Sequence, residues 1–297
     1  MDLSYLDAAS PEFPRQLSEI ADPPDRLWVR GQVSSLSSTA VAIVGSRRAS
    51  AASLDIARRL ACDLAAIGLT IVSGLARGCD AAAHQGALDA GGRTVAVLGS
   101  GADVIYPPEH GGLAAAVADA GAVISELPPG SPPLPQHFRQ RNRIISGLSR
   151  GVVVIEANEK SGSLITAGCA LAQGREVMVV PGVVFAGRNR GGHQLIRDGA
   201  VLVEHAEDVL AALVGATGPS RPAAGDPAAD GDAAGPGPDP ILDVLDPVEP
   251  VDFDELARHV PLPAHLVLAR LAELELRGHV ARTPGGRFVR CVGKVIT

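Results

Sequence analysis

Aromatic residues and lysine are scarce in this sequence. Only 3% of its 297 residues are aromatic, and Lys160 and Lys294 are the only lysines among 26 basic residues. Proteins that hold nucleic acid mainly by base stacking carry several aromatic platforms, so this sequence suits capture of a nucleic-acid backbone better than extensive stacking. Arginine must therefore supply almost all of the positive charge of any anion-binding site.

Three other features are missing. No apolar run approaches the roughly 18 residues of a membrane span, and no export signal stands at the N-terminus, so we expect a cytoplasmic protein without a membrane partner. The four cysteines are far apart and form no CxxC pair; they are Cys62, Cys79, Cys169 and Cys291. This spacing favours reduced, buried thiols and gives no reason to expect a metal site. An excess of positive charge is also absent, because the net charge is −7. A nucleic-acid site would have to be local.

The remaining sequence alternates between short β-branched runs and Ala-rich amphipathic stretches. Seven such runs occur, and their largely apolar character is typical of strands buried on both faces; they are residues 41–45, 69–73, 94–98, 122–125, 151–157, 176–182 and 200–204. This alternation predicts a Rossmann-like α/β fold, an extended parallel sheet with helices on both faces.

Composition divides the chain into four parts. Residues 1–40 are predicted to be an N-terminal extension that packs on the core, and residues 41–214 form the Rossmann-like domain. Residues 215–240 are rich in Pro, Gly, Ala and Asp and predict a disordered linker. Residues 241–297 read as three helices followed by two short strands, which is typical of a small winged-helix domain.

Glycine and serine follow most of the predicted strands. They occur in "GSRRAS", "SGLARGCD", "GSGADVIYPPEH" and "EANEKSGSLIT". In a parallel sheet these ends meet at one edge, where free N–H groups at helix starts favour phosphate. "GSGADV" lacks the third glycine of a dinucleotide fingerprint, and only Asp119 stands near the position of the expected acid. The sequence therefore predicts an anion-binding edge without a cofactor.

A helix predicted over "FRQRNRIISGLS", residues 138–149, precedes the fifth strand, and together with Arg150 this stretch carries four arginines. The apolar stripe of this helix places Arg141 in its first turn, directed into the crevice over the sheet edge, and Arg139 and Arg143 are expected to flank it. An alternative is that Arg141 pairs with Glu126 or Glu156 and joins two loops. Phe138 and Tyr106 lie near the same crevice, and core packing or base stacking remains open for each. Capture of the phosphate backbone by arginines predicts strong salt dependence and weak sequence preference.

Several longer stretches resemble the DNA-processing protein A family (DprA, also called Smf) of bacteria. They include "FPRQLSEIADPPDRLWVRG", "VAIVGSRRAS", "IVSGLARGCDAAAHQGAL", "FRQRNRIISGLSRGVVVIEA" and "KSGSLITAGCALAQGREVMVVPG", in the family's order across about residues 12 to 214. The resemblance implies a non-enzymatic protein of natural transformation that binds and protects single-stranded DNA. It also implies a homodimer through the Rossmann-like domain and help in loading a RecA-type recombinase.

The strand ends and the resemblance together predict a DNA-binding set without catalytic residues. Its members are Gly45, Ser46, Arg47, Ser73, Gly74, Phe138, Arg139, Arg141, Asn142, Arg143, Lys160, Ser161, Gly162 and Ser163.

Two alternatives concern function. A nucleotide-hydrolysing enzyme of the phosphoribohydrolase type would use carboxylates at the same edge, from Glu126, Glu156, Asp80 and the nearby His84. Against it, "SGSLITAG" stands where those enzymes carry "PGGxGTxxE", and a histidine in this position is more often a core residue. In the winged helix, glutamates balance the arginines of "PAHLVLARLAELELRG". This balance favours a protein-interaction role for the domain over DNA reading.

Overall fold

The structure is a computed structural model that describes residues 3–184, 187–215, 241–242, 244–245, 251–260, 267, 270–271, 274–275, 280–282 and 287–290. It divides into two compact units, Met1–Pro222 and Ala223–Thr297. Apart from residue 215, the predicted linker lies outside the described residues, as does most of the predicted helix in "PAHLVLARLAELELRG". None of the helices in the described ranges is long and apolar enough to cross a bilayer.

The first unit is built on one sheet of nine strands in the order β1-β2-β6-β5-β4-β3-β7-β8-β9. The strands are β1 Ser4–Asp7, β2 Arg26–Gly31, β3 Ala40–Val44, β4 Thr70–Ser73, β5 Thr94–Val97, β6 Ala122–Ser125, β7 Gly151–Val154, β8 Glu176–Val179 and β9 Val201–Leu202. All pairs from β6 to β9 are parallel. The predicted fold class is therefore confirmed.

Helices cover both faces of this sheet. They are α1 Arg15–Ser18, α2 Ala51–Ala66, α3 Cys79–Asp89, α4 Gly111–Ala120, α5 Pro135–Gly147, α6 Gly162–Ala172, α7 Arg190–Arg197 and α8 Ala206–Gly215. Strand β3 shows how the faces divide. Ala42 and Val44 face the core that includes Ile144 of α5, whereas Ile43 faces the core that includes Leu64 of α2. The sheet is buried on both sides, as its apolar runs predicted.

The N-terminal segment contributes two strands that the sequence analysis did not identify. Strand β1 pairs antiparallel with β2, and β2 pairs antiparallel with β6, so residues 4–31 extend the sheet at one edge. In β1 only Leu6 is buried, whereas Leu27 and Val29 are buried in β2. Short strands with so few apolar residues give a weak sequence signal.

Helix α5 begins three residues earlier than the sequence predicted. Pro135 occupies its first position and Leu134 is the N-cap. Proline suits this place because its fixed φ matches a helix and its missing N–H would have no partner there. Arg141 therefore lies in the second turn, and the prediction that it lies in the first turn is wrong.

The second unit is described by itself. It contains α9 Phe253–His259 and an antiparallel pair of strands, β10 Val280–Arg282 and β11 Phe288–Arg290. Its buried side chains form a separate core that includes Ile241, Leu256 and Phe288. A core of its own is what an independent small domain requires.

Candidate functional site

A cleft of about 580 Å³ lies at the carboxyl edge of the parallel strands. Its walls are the connections after β3, β4, β5, β6 and β7, together with α5 and the first part of α6. The lining includes Gly45, Ser46, Arg47, Phe138, Arg139, Arg141, Asn142, Lys160, Ser161, Gly162 and Ser163. Eleven of the fourteen predicted site residues thus line one cleft. The edge rule for parallel sheets places them there.

The turn after β3 forms one wall. A side chain at Gly45 would come within 2.5 Å of the sulfur of Cys79, so glycine is needed for the close approach of this turn to α3. The hydroxyl of Ser46 accepts the N–H of Arg48 at 3.1 Å. The turn directs Arg47 and Arg48 outward, and both are exposed.

Glu156 fixes the end of the same turn. It is buried, and its carboxylate accepts the N–H of Ser50 at 3.2 Å and the hydroxyl of Ser53 at 2.9 Å. Ser50 is also the N-cap of α2. Glu156 is thereby occupied with joining β7 to the start of α2, which is a structural use of a carboxylate at the carboxyl edge of the sheet.

The start of α6 forms the opposite wall. Ser161 is its N-cap and accepts the N–H of Ser163, and the carbonyl of Gly162 accepts the amide of Asn142 at 3.3 Å. Asn158 accepts the N–H of Lys160 at 3.0 Å and shapes the approach to the helix. A helix N-terminus bordering the cleft attracts anions because its first N–H groups lack partners within the helix.

Two aromatic rings form the third side of the cleft. Phe138 of α5 and Tyr106 have ring centroids 5.7 Å apart, and the guanidinium carbon of Arg47 lies 5.3 Å from the Phe138 centroid. Tyr106 is 39% exposed, so part of its ring is free to meet a ligand. These contacts join an apolar surface to a cation within one cleft.

Arg141 forms part of the cleft floor. Its guanidinium donates to the carbonyl of Val97 and packs against Gly74, where a Cβ atom would overlap it. Burial lowers the pKa of Arg141 to about 10, while the charge of Asp80 opposes that decrease. Gly74 therefore acts by leaving space for a buried arginine, and it does not line the cleft itself.

Asp80 supplies the compensating charge for that arginine. It accepts the N–H groups of Gly74 at 3.2 Å and Ala76 at 3.4 Å. Burial raises the pKa of the Asp80 carboxyl, and the charge of Arg141 lowers it in part. The alternative that Arg141 pairs with Glu126 or Glu156 is wrong. Glu126 binds Arg143, and Glu156 binds the start of α2.

Arg143 does not flank the cleft, contrary to the prediction. Its guanidinium binds Asp22 at 2.8 Å and Glu126 at 2.6 Å. Burial disfavours the charge of Arg143, but hydrogen bonds to Glu126 and Asp22 outweigh it and raise the pKa. Arg143 lies about 40° further round the helix than Arg139, which brings it to the carboxylates and away from the cleft.

Ser73 also lies outside the cleft. It is fully buried, and its hydroxyl donates to the carbonyl of Ile43 at 2.6 Å. From sequence alone, a strand-end serine that bonds to the neighbouring strand looks the same as one that faces a ligand. The two can be distinguished only when the pairing of the strands is known.

The rim of the cleft carries four exposed cations, which are Arg47, Arg48, Arg139 and Lys160. Within the described part of the chain, none of the four has a carboxylate partner within 4.0 Å. Asp80 is the only acidic residue among the described residues of the lining. The cleft is therefore strongly positive in a chain whose net charge is −7.

Arg48 is a rim residue that the sequence analysis missed. It adjoins Arg47 in "GSRRAS", and two consecutive arginines after a glycine-containing strand end are the signal that could have identified it. Ile165 and Thr166 of α6 also line the cleft without having been predicted. One turn of α6 faces the cleft, so residues beyond the "SGS" turn reach it as well.

His84 is a core residue, as the sequence favoured. It is fully buried, and its Nδ1 lies 2.7 Å from the hydroxyl of Thr94, whose own hydrogen goes to the carbonyl of Ile71. Nδ1 is therefore the donor. Burial lowers the pKa of His84 to about 3, with a smaller effect of Arg141. A histidine that stays neutral and bonds to a strand is not positioned as a general base in the cleft.

The described residues contain no group of three or more His, Cys, Asp or Glu side chains that could hold a metal ion. Cys62, Cys79 and Cys169 are free thiols. Burial, followed by the charge of Asp80, raises the pKa of Cys79 to about 12. The Cys79 thiol is thus protonated near neutral pH and inert as a nucleophile.

Family profiles match both parts of the sequence. The profile described as DNA recombination-mediator protein A matches residues 4–214. The profile described as DprA winged helix domain matches residues 222–286, which confirms the predicted winged helix in the C-terminal part.

Two curated relatives illustrate the similarity. Protein Smf of Escherichia coli is 43% identical over 289 residues, which cover 96% of this chain and 76% of that protein. DNA processing protein DprA of Streptococcus pneumoniae is 46% identical over 199 residues, or 67% of this chain and 70% of that protein. The resemblance seen in the sequence motifs is confirmed.

Solved structures agree with the fold. The X-ray structure of DNA processing protein A from Streptococcus pneumoniae has a TM-score of 0.68 and 43% identity, and the match covers 71% of this chain and 74% of that one. A structure of DNA processing protein A from Helicobacter pylori, reported for its single-stranded DNA binding mode, has a TM-score of 0.65 and 28% identity. That match covers 72% of this chain and 97% of the other.

Proposed function

Because this chain belongs to the DNA recombination-mediator protein A family, we propose that it binds single-stranded DNA in the cleft and acts in DNA uptake and recombination. The observation that carries the proposal is the set of four exposed rim cations without carboxylate partners within the described residues. Exposed arginines that lack a protein partner are available to phosphate. The solved Helicobacter pylori relative, which is reported for single-stranded DNA binding, supports the same ligand class.

The phosphate backbone is the part of the ligand that the rim recognises. Arg47 and Arg139 offer planar guanidinium groups, which bind phosphate oxygens in pairs, and Lys160 offers a point charge. The start of α6 adds N–H groups to the same cleft. These contacts are common to all nucleotides, so we expect weak sequence preference and a steep loss of affinity with salt.

Phe138 and Tyr106 favour single strands over duplexes. A base can stack on a side-chain ring when its own face is free, whereas in a duplex both faces are covered by neighbouring base pairs. The two rings lie beside the rim cations, with Arg47 over Phe138. Arg141 and Asn142 are buried in the floor of the cleft, so we propose that they support the site and do not form its exposed contacts.

We also propose binding without catalysis. The groups that a nucleotide hydrolase would use are engaged elsewhere, with Glu126 on Arg143 and Glu156 on the start of α2. Asp80 accepts two backbone N–H groups beneath the floor. Incubation of the protein with nucleoside monophosphates should release no free base.

The proposal extends to partners. We propose a homodimer formed through residues 41–214, a cytoplasmic location and help in loading a RecA-type recombinase onto bound DNA. The support for these three points is membership of a family described as recombination mediators. Sedimentation of the protein should give a dimer mass, and strand exchange by a recombinase on protein-coated DNA should start sooner than on bare DNA.

For the winged helix we propose a protein-interaction role. The stretch 263–278 balances its arginines with glutamates, whereas a helix that reads a DNA groove is usually more basic. The isolated domain should bind oligonucleotides weakly.

Fluorescence anisotropy with single- and double-stranded oligonucleotides of one sequence, repeated over a range of salt, tests the main proposal. We expect tighter binding of the single strand and a linear fall of log affinity with log salt. Equal affinity for the two forms, or affinity that does not change with salt, would contradict it. Release of free base would instead favour the hydrolase.

A further inference from the structure

The ends of five adjacent strands lie in one row along the binding edge. From Tyr106 after β5, the cleft crosses the connections after β4 and β3 and reaches the one after β7, which carries Lys160. The next strand in the row is β8. Neighbouring strands are about 4.8 Å apart, so the row from β5 to β8 spans about 19 Å. A DNA strand that follows the row and leaves the cleft past β7 meets the connection after β8.

Arg188 lies on that connection, beside the rim. Its Nη1 donates to the carbonyl of Arg48 at 3.3 Å, which joins the connection after β8 to the rim turn after β3. Arg188 is exposed, and no carboxylate of the described chain lies within 4.0 Å of its guanidinium. Its remaining N–H groups are free to bind an anion, since one bond uses only one of five donors.

Asn189 holds the neighbouring backbone in place. Its side chain is buried, accepts the N–H of Ala157 at 2.9 Å and donates to the carbonyl of Val180 at 3.1 Å. A Cβ atom at Gly182 or Gly192 would come within 2.6 Å of this amide, so both glycines leave space for it. The residue after Arg188 is thereby fixed to the ends of β7 and β8. Arg188 projects from an anchored position beside the cleft.

We propose that Arg188 is a phosphate contact beyond the cleft, and that a bound DNA strand runs from Tyr106 across the rim to Arg188. This inference rests on the proposed function, because it assumes that the rim binds single-stranded DNA. Arg190, two residues further on, should attract phosphate less strongly, because the carboxylate of Glu159 lies 3.8 Å from its guanidinium. The path therefore ends at Arg188 among the described residues of this connection.

The test compares Arg188→Ala with wild type on oligothymidylates of about 4 to about 16 nucleotides, the range of single-strand site sizes. For the shortest strands that wild type binds, we expect the variant to have the same affinity as wild type. For the longest strands, its affinity should fall about threefold to fivefold, and its salt slope should become shallower by about 0.7, the value for one phosphate contact on a single strand. Arg188→Lys should recover most of the loss.

Arg197→Ala is the matched control, because it also removes one arginine of the same part of the chain. Its partner is the neutral side chain of Gln194, at 3.4 Å. We expect it to bind all lengths as wild type does. The inference is overturned if Arg188→Ala keeps the affinity and salt slope of wild type, or if Arg197→Ala loses as much. A wild-type protein that fails to bind any single strand would overturn the proposed function itself.

Discussion

The rim and the floor of the cleft use arginine in opposite ways. On the rim, Arg47 and Arg139 are exposed and have no carboxylate partner among the described residues. In the floor, Arg141 is buried and donates to the carbonyl of Val97, and the negative charge of Asp80 partly offsets the cost of burying its positive charge. Two of these arginines stand on the same helix, two residues apart. The surroundings of an arginine, and not its place in a basic motif, decide whether its guanidinium is exposed and available to an anion or buried in the fold.

Substitutions in the floor should therefore change mainly the stability of the protein. Arg141→Met keeps most of the side-chain volume but removes the donor to the buried carbonyl of Val97 and the positive charge near Asp80, and we expect a loss of about 1–3 kcal/mol in the free energy of unfolding. Urea denaturation measures it. Asp80→Asn in the same chain should recover part of the loss, because the orphaned charge is then gone. If the free energy of unfolding fell by less than about 1 kcal/mol, Arg141 would contribute as little to stability as an exposed rim arginine.

The buried histidine His84 should make the stability of the fold depend on pH. In the unfolded chain His84 titrates near its ordinary pKa of 6.5, and in the folded protein near 3. Between these values the unfolded state binds the extra proton, so the stabilising contribution is complete above pH 6.5 and is lost as pH falls toward 3. It should amount to about 2 kcal/mol between pH 8 and pH 5.

Urea denaturation of wild type and His84→Asn at each pH isolates this contribution. Asparagine keeps a donor near Nδ1 for the hydroxyl of Thr94 but does not titrate. The variant should therefore lose less stability than wild type on acidification. Parallel pH curves for the two proteins would show that His84 is protonated in the fold.

The rim should respond through affinity and leave stability unchanged. Arg47→Glu should weaken single-strand binding at least tenfold, or about 1.4 kcal/mol, with a nearly unchanged thermal melt, because the side chain is exposed on a turn. Arg143→Ala is the matched comparison from α5. It breaks the pairs with Asp22 and Glu126 and should lower the melting temperature while the affinity changes little. The opposite pattern in either variant would break the distinction.

Much of this arrangement follows from the sequence. The seven apolar runs predicted the parallel sheet, and the edge rule then brought the residues of "GSRRAS", "FRQRNR" and "KSGS" to one cleft. Those signals are local, since they depend on periodicity and on the residues that end each strand. The strong charge of the cleft could be predicted because lysine and arginine are unevenly spread in an acidic chain.

The missed features depend on partners far apart in the sequence. Arg143 resembles Arg139 in sequence, but Asp22 lies 121 positions away and no local pattern indicates that it will accept from Arg143. Arg188 reaches Arg48 across 140 positions. Strand β1 was missed because only Leu6 is buried in it. Such contacts are fixed by the order of the strands, which a single sequence does not contain.

The smallest expected effect concerns the second unit. A fragment of residues 1–218 retains the whole cleft, so it should bind single-stranded DNA within about threefold of the full chain, with a similar salt slope. The fragment 239–297 should bind weakly. Loss of most affinity in the first fragment, with tight binding by the second, would assign DNA binding to the winged helix.

We propose that the rim cations, which have no carboxylate partner among the described residues, bind the phosphates of a single strand. The most direct test of this proposal is the slope of log affinity against log salt for wild type, for Arg143→Ala and for a triple variant with Arg47→Ala, Arg139→Ala and Lys160→Ala. We expect the slope of the triple variant to be shallower by about 2, since each contact contributes about 0.7, and Arg143→Ala to keep the slope of wild type. An unchanged slope in the triple variant, or an equal loss in Arg143→Ala, would contradict the proposal.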